Sequence, residues 1–388
     1  MTRSSVARIA APWLTDPATR AVTAALEEAG HRALYVGGCV RNALLAVPVS
    51  DIDIATDALP EAVIAAVGAA GLKAVPTGIA HGTITVVSGG RGYEVTTCRR
   101  DVVTDGRHAQ VVFSTHMEED AARRDFTMNA LYATPEGRVL DPVGGLPDLR
   151  ARRLRFIGDA DRRIAEDYLR ILRFFRFHAW YGDPAGGLDA EGLAACAAGA
   201  GGLARVSAER IGQEMLKLLG AVDPAPALAA MAQAGILARV LPGAVSAPLA
   251  PLIALEDGLA PDPLRRLAVL GGEGPADRFR LSRVAARRLD LLRDLSGAAA
   301  GSAEIAWRHG ADAARDVALL RAASLAQPLP AGLEQAIAAG AAARFPVAAR
   351  DLMPRFAGAD LGQALRRLER AWIASDFTLT RDGLLALA

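Results

Sequence analysis

With 388 residues, 52% of them apolar and 22% charged, the chain is long enough for two to four folded domains with sizeable cores. A formal charge of +1, from 44 basic and 43 acidic residues, does not announce a nucleic-acid binder, so position must decide what the arginines do. The apolar runs are too interrupted for a membrane span, and Met1 to Pro12 lacks the pattern of a signal peptide. Cys39, Cys98 and Cys196 fit neither a disulfide framework nor a zinc ribbon, which points to a reducing compartment and makes cytoplasm the expected location.

In chain order, residues 17–30 predict an amphipathic helix stopped by Gly30, and Ala33 to Val36 a short apolar strand. The strand runs into Gly37-Gly38, which let backbone approach a ligand closely, and a helix is predicted from Arg41 to about Leu45. The first N–H groups of such a helix, and its positive end, suit a phosphate. Ser50-Asp51-Ile52-Asp53-Ile54 predicts a strand with both carboxylates on one face, hard oxygen ligands of the kind Mg²⁺ uses alongside substrate phosphates. Two solvated acids at a strand end would give the same pattern, but the preceding Gly37-Gly38-x-x-Arg41 strengthens the phosphate and metal reading.

Pro60 to Gly71 predicts a helix; Leu72 to Val75, Gly82 to Val87 and Tyr93 to Cys98 predict strands. Glu94, in the last of these, is either an exposed edge acid or a third metal-side carboxylate or base. A polar loop is expected from Arg99 to Gln110, with extended structure resuming at Val111 to Ser114. Glu118 to Ala130 opens a helix in which Glu119–Arg123 and Asp120–Arg124 pairs account for the charge, or in which Arg124 reaches a triphosphate.

After about Leu140 strand signals fade and helical Ala/Leu/Arg patterns run to the end. The expected fold is therefore a small α/β head, a mixed sheet with helices, followed by an all-helical body. In Glu166 to Arg176, Asp167, Arg170, Arg173 and Arg176 recur every three residues, opposite a stripe of Leu169, Leu172 and Phe174 or Phe175. A solvated basic face explains that spacing. An Asp accepting from an exocyclic amine beside an Arg donating to a ring nitrogen explains it too, and would admit CTP and ATP while rejecting UTP and GTP. A P-loop, a dinucleotide-binding glycine motif and a His-Asp metal phosphohydrolase motif are all lacking.

Together, Gly37-Gly38-x-Val40-Arg41-Asn42, Asp51-x-Asp53, Arg123-Arg124-Asp125-Phe126-Thr127-x-Asn129-Ala130 and Glu166-Asp167-x-x-Arg170-x-x-Arg173 resemble the class II CCA-adding enzymes, the tRNA nucleotidyltransferase and bacterial poly(A) polymerase family. The resemblance is specific over residues 33–177 and weakens beyond about 215 to general helical character, plus Glu209-Arg210-Ile211. It implies a polymerase-β-like nucleotidyltransferase head at 1–139, a helical neck at 140–205 that reads the base, a body at 206–290 and an RNA-binding tail at 291–388. It implies that Asp51 and Asp53 hold two Mg²⁺ ions. Gly37, Gly38, Arg41 and Arg124 would meet the nucleotide's phosphate and sugar side, Asp167 and Arg170 the base edge, and Arg173 and Arg176 would complete the pocket. The 99–110 segment stands where family members carry a flexible loop used in switching from CTP to ATP, with Asp101, Asp105, Gly106 and Arg107 in place. The implied reaction adds C, C and A to a tRNA 3′ end without a template, by in-line attack on the α-phosphorus with release of pyrophosphate. Arg150, Arg152, Arg153 and Arg155 are candidates for the acceptor arm, and no obligate protein partner is inferred. The alternatives are a poly(A) polymerase, a catalytically silent RNA-binding protein and a small-molecule nucleotidyltransferase.

Overall fold

The computed structural model describes residues 7–105 and 108–388, and for 101–111 the backbone alone. The expected fold class holds: a mixed sheet with helices, then helices alone. Two compact units divide the chain, Met1–Val240 and Leu241–Ala388.

The first unit is built on β1 (Ala33–Val36), β2 (Asp53–Thr56), β3 (Lys73–Gly78), β4 (Thr83–Ser88) and β5 (Arg91–Thr97), with β6 (Arg99–Asp105), β7 (His108–Phe113), β8 (Tyr132–Ala133) and β9 (Val139–Leu140) following. Seven strands form one sheet in the order β3-β4-β5-β2-β1-β8-β9; β2 and β5 run parallel and the other pairs antiparallel. All four residues of β1 are buried, as expected of an apolar central strand. Helices α1 (Pro17–Glu28) and α3 (Pro60–Ala69) pack on each other and against β4 and β5. Between β1 and β2 lies α2 (Gly38–Leu44), and α4 (Met117–Ala122) precedes β8. Leu34, Val36, Ala55, Ala121, Ala130 and Tyr132 pack as one core around the central strands.

Three local expectations change. Strand β2 begins at Asp53, so Asp51 lies before the strand rather than on it, because the ladders with β5 and β1 begin at Asp53 and Ile54. Helix α2 begins at Gly38, three residues earlier than expected, so Arg41 sits within it. The segment from Arg99 is no loop: β6 and β7 pair antiparallel as a separate hairpin, from Arg99 opposite Phe113 to Asp105 opposite His108. Gly106 and Arg107 lie outside the described residues, and the side chains of Asp101 and Asp105 are likewise not described.

The helical part of this unit comprises α5 (Gly145–Arg150), α6 (Ala160–Glu166), α7 (Leu169–Tyr181), α8 (Ala190–Gly199), α9 (Ala208–Leu219), α10 (Ala225–Gln233) and α11 (Ile236–Val240). The predicted apolar stripe of α7 is buried, Leu169, Leu172, Phe174 and Phe175 among it. It docks through an aromatic cluster in which Phe126 lies 4.8 Å from Phe156 and Phe156 stacks on Phe174 at 5.6 Å.

The second unit holds α12 (Leu249–Leu255), α13 (Pro263–Leu270), α14 (Pro275–Arg278), α15 (Arg283–Gly297), α16 (Ser302–His309), α17 (Ala311–Leu325), α18 (Leu333–Ala342), α19 (Ala349–Leu352), α20 (Gly358–Ala374) and α21 (Arg381–Leu385). Its α12, α13 and α17 are tied by a buried ionic network. Arg265 reaches Glu256 at 2.7 Å and Asp316 at 2.8 Å, while Arg266 takes the other oxygen of Glu256 at 2.7 Å. Buried charges persist only when paired in this way. A second core, Val347, Leu352, Ala364, Leu368, Trp372 and Leu384, closes the end of the chain. Among the described residues no helix is long and apolar enough to cross a membrane.

Candidate active site

The turn after β1 sets the geometry. Gly37 has φ of +70°, a region L side chains rarely adopt, and its N–H donates to the Leu131 carbonyl at 3.1 Å. A Cβ there would stand 3.3 Å from Nη1 of Arg124 and 3.6 Å from the Asn129 carbonyl oxygen. Glycine is thus what lets the Arg124 guanidinium lie on the backbone of the turn. Arg124 is anchored from behind: its Nη2 donates to Asp120 at 2.9 Å and its Nε to the Tyr132 hydroxyl at 3.2 Å. Asp120 also takes Arg123 at 2.6 Å. Both arginines therefore share Asp120, and the expected Glu119–Arg123 pair does not form; Arg123 sits at the C-cap of α4, within reach of the acid three residues back. Burial pushes the Asp120 carboxyl up, but the two guanidiniums outweigh it and hold it at about 2.

Arg41, on α2, is only 6% exposed. Its Nη1 donates to Asn129 Oδ1 at 2.6 Å, Nη2 to the Tyr181 hydroxyl at 2.8 Å, and Nε and Nη2 both to Asn42 Oδ1. The guanidinium lies 3.9 Å from the centre of the Tyr181 ring and 5.1 Å from that of Phe177. All of these partners are neutral, and burial pulls the Arg41 pKa down. Its neighbours differ. Arg173 pairs with Asp125 at 2.5 Å, and Arg176 with Glu214 at 2.5 Å. Phe177 is the shared surface, with Arg173 at 5.0 Å and Arg176 at 4.1 Å from its centroid. Three guanidiniums and two carboxylates leave one positive charge over, and Arg41 carries it.

Opposite lies the acidic side. Asp53 and Glu94 are register partners on the parallel strands β2 and β5, so their side chains stand next to each other on one face of the sheet. Asp51 is exposed and accepts from Ser50 Oγ at 2.8 Å. Burial first, then Glu94 and Asp51, push the Asp53 carboxyl up to about 6, although Arg124 draws it down. Hard oxygens that repel one another suit a divalent cation. Among the described residues no three His, Cys, Asp or Glu side chains enclose an ion. Asp53 and Glu94, paired across β2 and β5, are hard oxygen donors of the kind a divalent cation such as Mg²⁺ takes.

The α7 residues divide. Asp167 is off the helix, in the joint between α6 and α7, with extended φ and ψ of −154° and 104°. Its Oδ1 accepts from the Leu169 N–H at 3.1 Å, and Arg210 on α9 grips it at 2.7 Å. Arg170 donates to Glu166 at 2.7 Å, to the Arg163 carbonyl at 2.9 Å and to the Arg123 carbonyl at 3.0 Å. Asp167 and Arg170 thus have separate side-chain partners, and Arg170 ties α7 to the residue beside Arg124.

Gly37, Gly38, Arg41, Arg124, Asp51, Asp53 and Glu94 gather at the mouth of β1 and β2, and Arg173 and Arg176 join them through Phe177. The sequence motifs assign no role to Asp125, Asn129, Tyr181 or Glu214, and Arg210 stands only in the quoted Glu209-Arg210-Ile211. Asp125 and Asn129 stood within a quoted motif; Tyr181, 140 residues from Arg41, left no local signal.

Residues 33–155 match the family described as the poly A polymerase head domain, and residues 188–247 that described as the probable RNA and SrmB-binding site of polymerase A. The human mitochondrial CCA tRNA nucleotidyltransferase 1 is 42% identical over 201 residues, 52% of this chain and 46% of that protein. The CCA-adding enzyme of Geobacillus stearothermophilus is 42% identical over 220 residues, 56% of this chain and 52% of its own. The matched stretch spans about half the length of these curated relatives. The crystal structure of the Bacillus stearothermophilus CCA-adding enzyme in complex with CTP is similar over 95% of this chain and 94% of that one, at 29% identity and a TM-score of 0.74. The Thermotoga maritima CCA-adding enzyme, solved with tRNA, has the same fold over 98% of both chains, at 19% identity and a TM-score of 0.71. With the poly A polymerase head over residues 33–155 and the polymerase A segment over 188–247, the chain is similar to CCA-adding enzymes over about half its length and has the fold of their crystal structures.

Proposed function

We propose that this protein is a CCA tRNA nucleotidyltransferase, which adds C, C and A to tRNA 3′ ends from CTP and ATP without a nucleic-acid template. The observation that carries the reading is the charge arrangement: a buried arginine with no acidic partner, Arg41, beside carboxylates that repel one another, Asp53 and Glu94. A buried, uncompensated cation is costly unless an anion completes it. A cluster of unneutralised carboxylates likewise calls for a cation. A metal triphosphate supplies both.

In this scheme Asp51 and Asp53 hold two Mg²⁺ ions, which when bound neutralise the triphosphate and lower the pKa of the attacking hydroxyl. Arg124, fixed against the Gly37 turn, and Arg41 supply the positive field for the phosphates, with Gly38 allowing their approach. Asp167 accepts from the exocyclic amine of cytosine or adenine, and Arg170 donates to the adjacent ring nitrogen. Arg173 and Arg176 hold the pocket wall in place. The RNA 3′-oxygen bonds to the α-phosphorus as the bond to the bridging oxygen breaks. The hydroxyl proton passes to the carboxylate side, where Glu94 stands, and pyrophosphate leaves.

The division into a catalytic head (1–139), base-reading neck (140–205), body (206–290) and RNA-binding tail (291–388) belongs to the same proposal. In the second unit Arg308, Arg366, Arg367 and Arg370 line a groove of about 680 Å³ with Gln363 and Glu369. Arg308 is paired with Glu304 and Glu369, but among the described residues Arg366, Arg367 and Arg370 have no acidic partner. We assign this groove to tRNA backbone phosphates. Exchanging the three arginines for Gln should weaken tRNA binding about tenfold to a hundredfold and make its salt dependence shallower by about two to three in log–log slope. Unchanged affinity and slope would remove the groove from the footprint. Buried free cysteines suit a reducing compartment, and we place the protein in the cytoplasm.

The deciding experiment supplies purified protein and tRNA lacking its CCA end with each NTP alone and in combination. Two C residues with CTP alone, and a single terminal A once ATP is added, are expected. Unlimited A tails on diverse RNA without C incorporation would make it a poly(A) polymerase. RNA binding with no incorporation would make it a silent member of the family.

A further inference from the structure

Resting on the base-reading role given to Asp167, we infer that Arg210 is a positioning residue that sets the choice of base. Asp167 occupies the short joint between α6 and α7, and Arg210 reaches it from α9, 43 residues further on. The guanidinium grips the carboxylate as a fork: Nη2 donates to Oδ2 at 2.7 Å and Nη1 to Oδ1 at 3.3 Å. Oδ1 also accepts from the Leu169 N–H at 3.1 Å. A carboxylate offers about four acceptor sites, so these bonds leave about one, on Oδ2.

That count matters for selectivity. Cytosine and adenine present an amine that an oriented acceptor can take, whereas uracil and guanine present a carbonyl oxygen that the same acceptor repels. Discrimination therefore depends on the direction of the free lone pair. The α6–α7 joint alone does not fix that direction, since without Arg210 the carboxylate keeps a single bond to one oxygen and can turn about it. Arg170, the other proposed reader, does not depend on α9, because Glu166 and two backbone carbonyls hold it. Arg210 is half exposed, with 51% of its side-chain surface accessible, so its removal need not disturb the core.

The test compares CMP with UMP incorporation into tRNA lacking its CCA end, as kcat/KM ratios, for the wild type, Arg210→Ala, Arg210→Lys and Asp167→Asn. The preference for C over U should fall about tenfold or more in Arg210→Ala, mostly through a raised KM for CTP, with the melting temperature unchanged. Arg210→Lys, which keeps the charge but not the fork, should recover only part of the loss. A C-over-U ratio in Arg210→Ala within about twofold of wild type would overturn the inference. If that happens while Asp167→Asn does lose selectivity, only the role of Arg210 falls. If Asp167→Asn also keeps its selectivity, the base-reading assignment falls with it. Should Arg210→Ala fail to fold, the same ratio measured on Arg210→Lys decides: a wild-type ratio there overturns the fork.

Discussion

Replacing Asp53 with Asn should abolish nucleotide incorporation and at the same time make the metal-free protein more stable. The loss of activity follows if Asp53 holds the metal, because such an ion supplies several kcal/mol of charge stabilisation; about 4 kcal/mol corresponds to about a thousandfold in rate. The gain in stability follows from the sign of the Asp53 shift. Burial, then Glu94 and Asp51, raise its pKa to about 6, above the ordinary carboxylate value. The folded chain thus holds that proton more tightly than the unfolded chain. Stability is fully present below the ordinary value of about 4, falls as pH rises through about 6, and stays low above it. An amide carries no such penalty. Allowing for solvent screening at a partly exposed site, the gain at pH 7.5 should be on the order of 1–2 kcal/mol, or about 2–6 °C in melting temperature. Added Mg²⁺ should raise the melting temperature of the wild type and leave the variant unmoved. Thermal unfolding with and without Mg²⁺ at pH 4 and 7.5, beside the incorporation assay, measures all of this. Substantial residual activity, or a variant less stable than the metal-free wild type at pH 7.5, would remove Asp53 from the metal site.

The fold was legible where local pattern and tertiary environment agree. Four apolar residues between the polar His31-Arg32 pair and a glycine turn define β1, and the structure places it at Ala33–Val36 as expected. The apolar stripe of α7 was equally plain. Legibility failed where a boundary depends on a partner strand or on a joint without a breaker. In Ser50 to Ile54 nothing says which aspartate enters the ladder; β5 decides it by pairing Glu94 with Asp53. Glu166-Asp167-Tyr168 contains no glycine or proline, so the sequence carries no sign that α6 ends there, and Asp167 lies off the helix face its spacing predicts. Charged residues interrupt the β-branched positions of β6 and β7, so their sequence predicts a loop where the structure has a hairpin. Within the site, one-letter motifs identified the residues that gather but not what they touch. Arg173 meets Asp125 across 48 residues, a contact made where the Phe126–Phe156–Phe174 cluster docks α7.

That last contact carries the largest expected effect on stability. Asp125 is 7% exposed and every partner it has is a donor. Oδ2 accepts Nε of Arg173 at 2.8 Å and Nη2 at 2.5 Å; Oδ1 accepts the Phe126 N–H at 2.8 Å and Nδ2 of Asn129 at 3.0 Å. Asn129 in turn accepts from Arg41. Asp125→Asn keeps the shape and loses the arrangement, because an amide must turn its NH₂ toward one set of donors. It also leaves Arg173 with Glu214 at 3.9 Å, an acid already taken by Arg176. Removing one member of a buried ion pair costs about 3–5 kcal/mol, and denaturant unfolding of the variant should show a loss of that size. Incorporation should fall with it, since Asn129 would no longer be held against Arg41. The pH dependence separates charge from packing. Burial alone would raise the Asp125 carboxyl, but Arg173 and Asn129 hold it below its ordinary value. Its contribution is therefore present above the ordinary carboxylate value and lost as pH falls through the lowered one, so the gap between wild type and variant should close in acid. A gap of constant size from pH 7 down to acid would mean the residue acts by packing alone. Pairing the change with Arg173→Met gives the sharper test. If the ion pair is the cause, the double variant should be less destabilised than the sum of the single ones by about 1–3 kcal/mol, because the second change removes the stranded guanidinium.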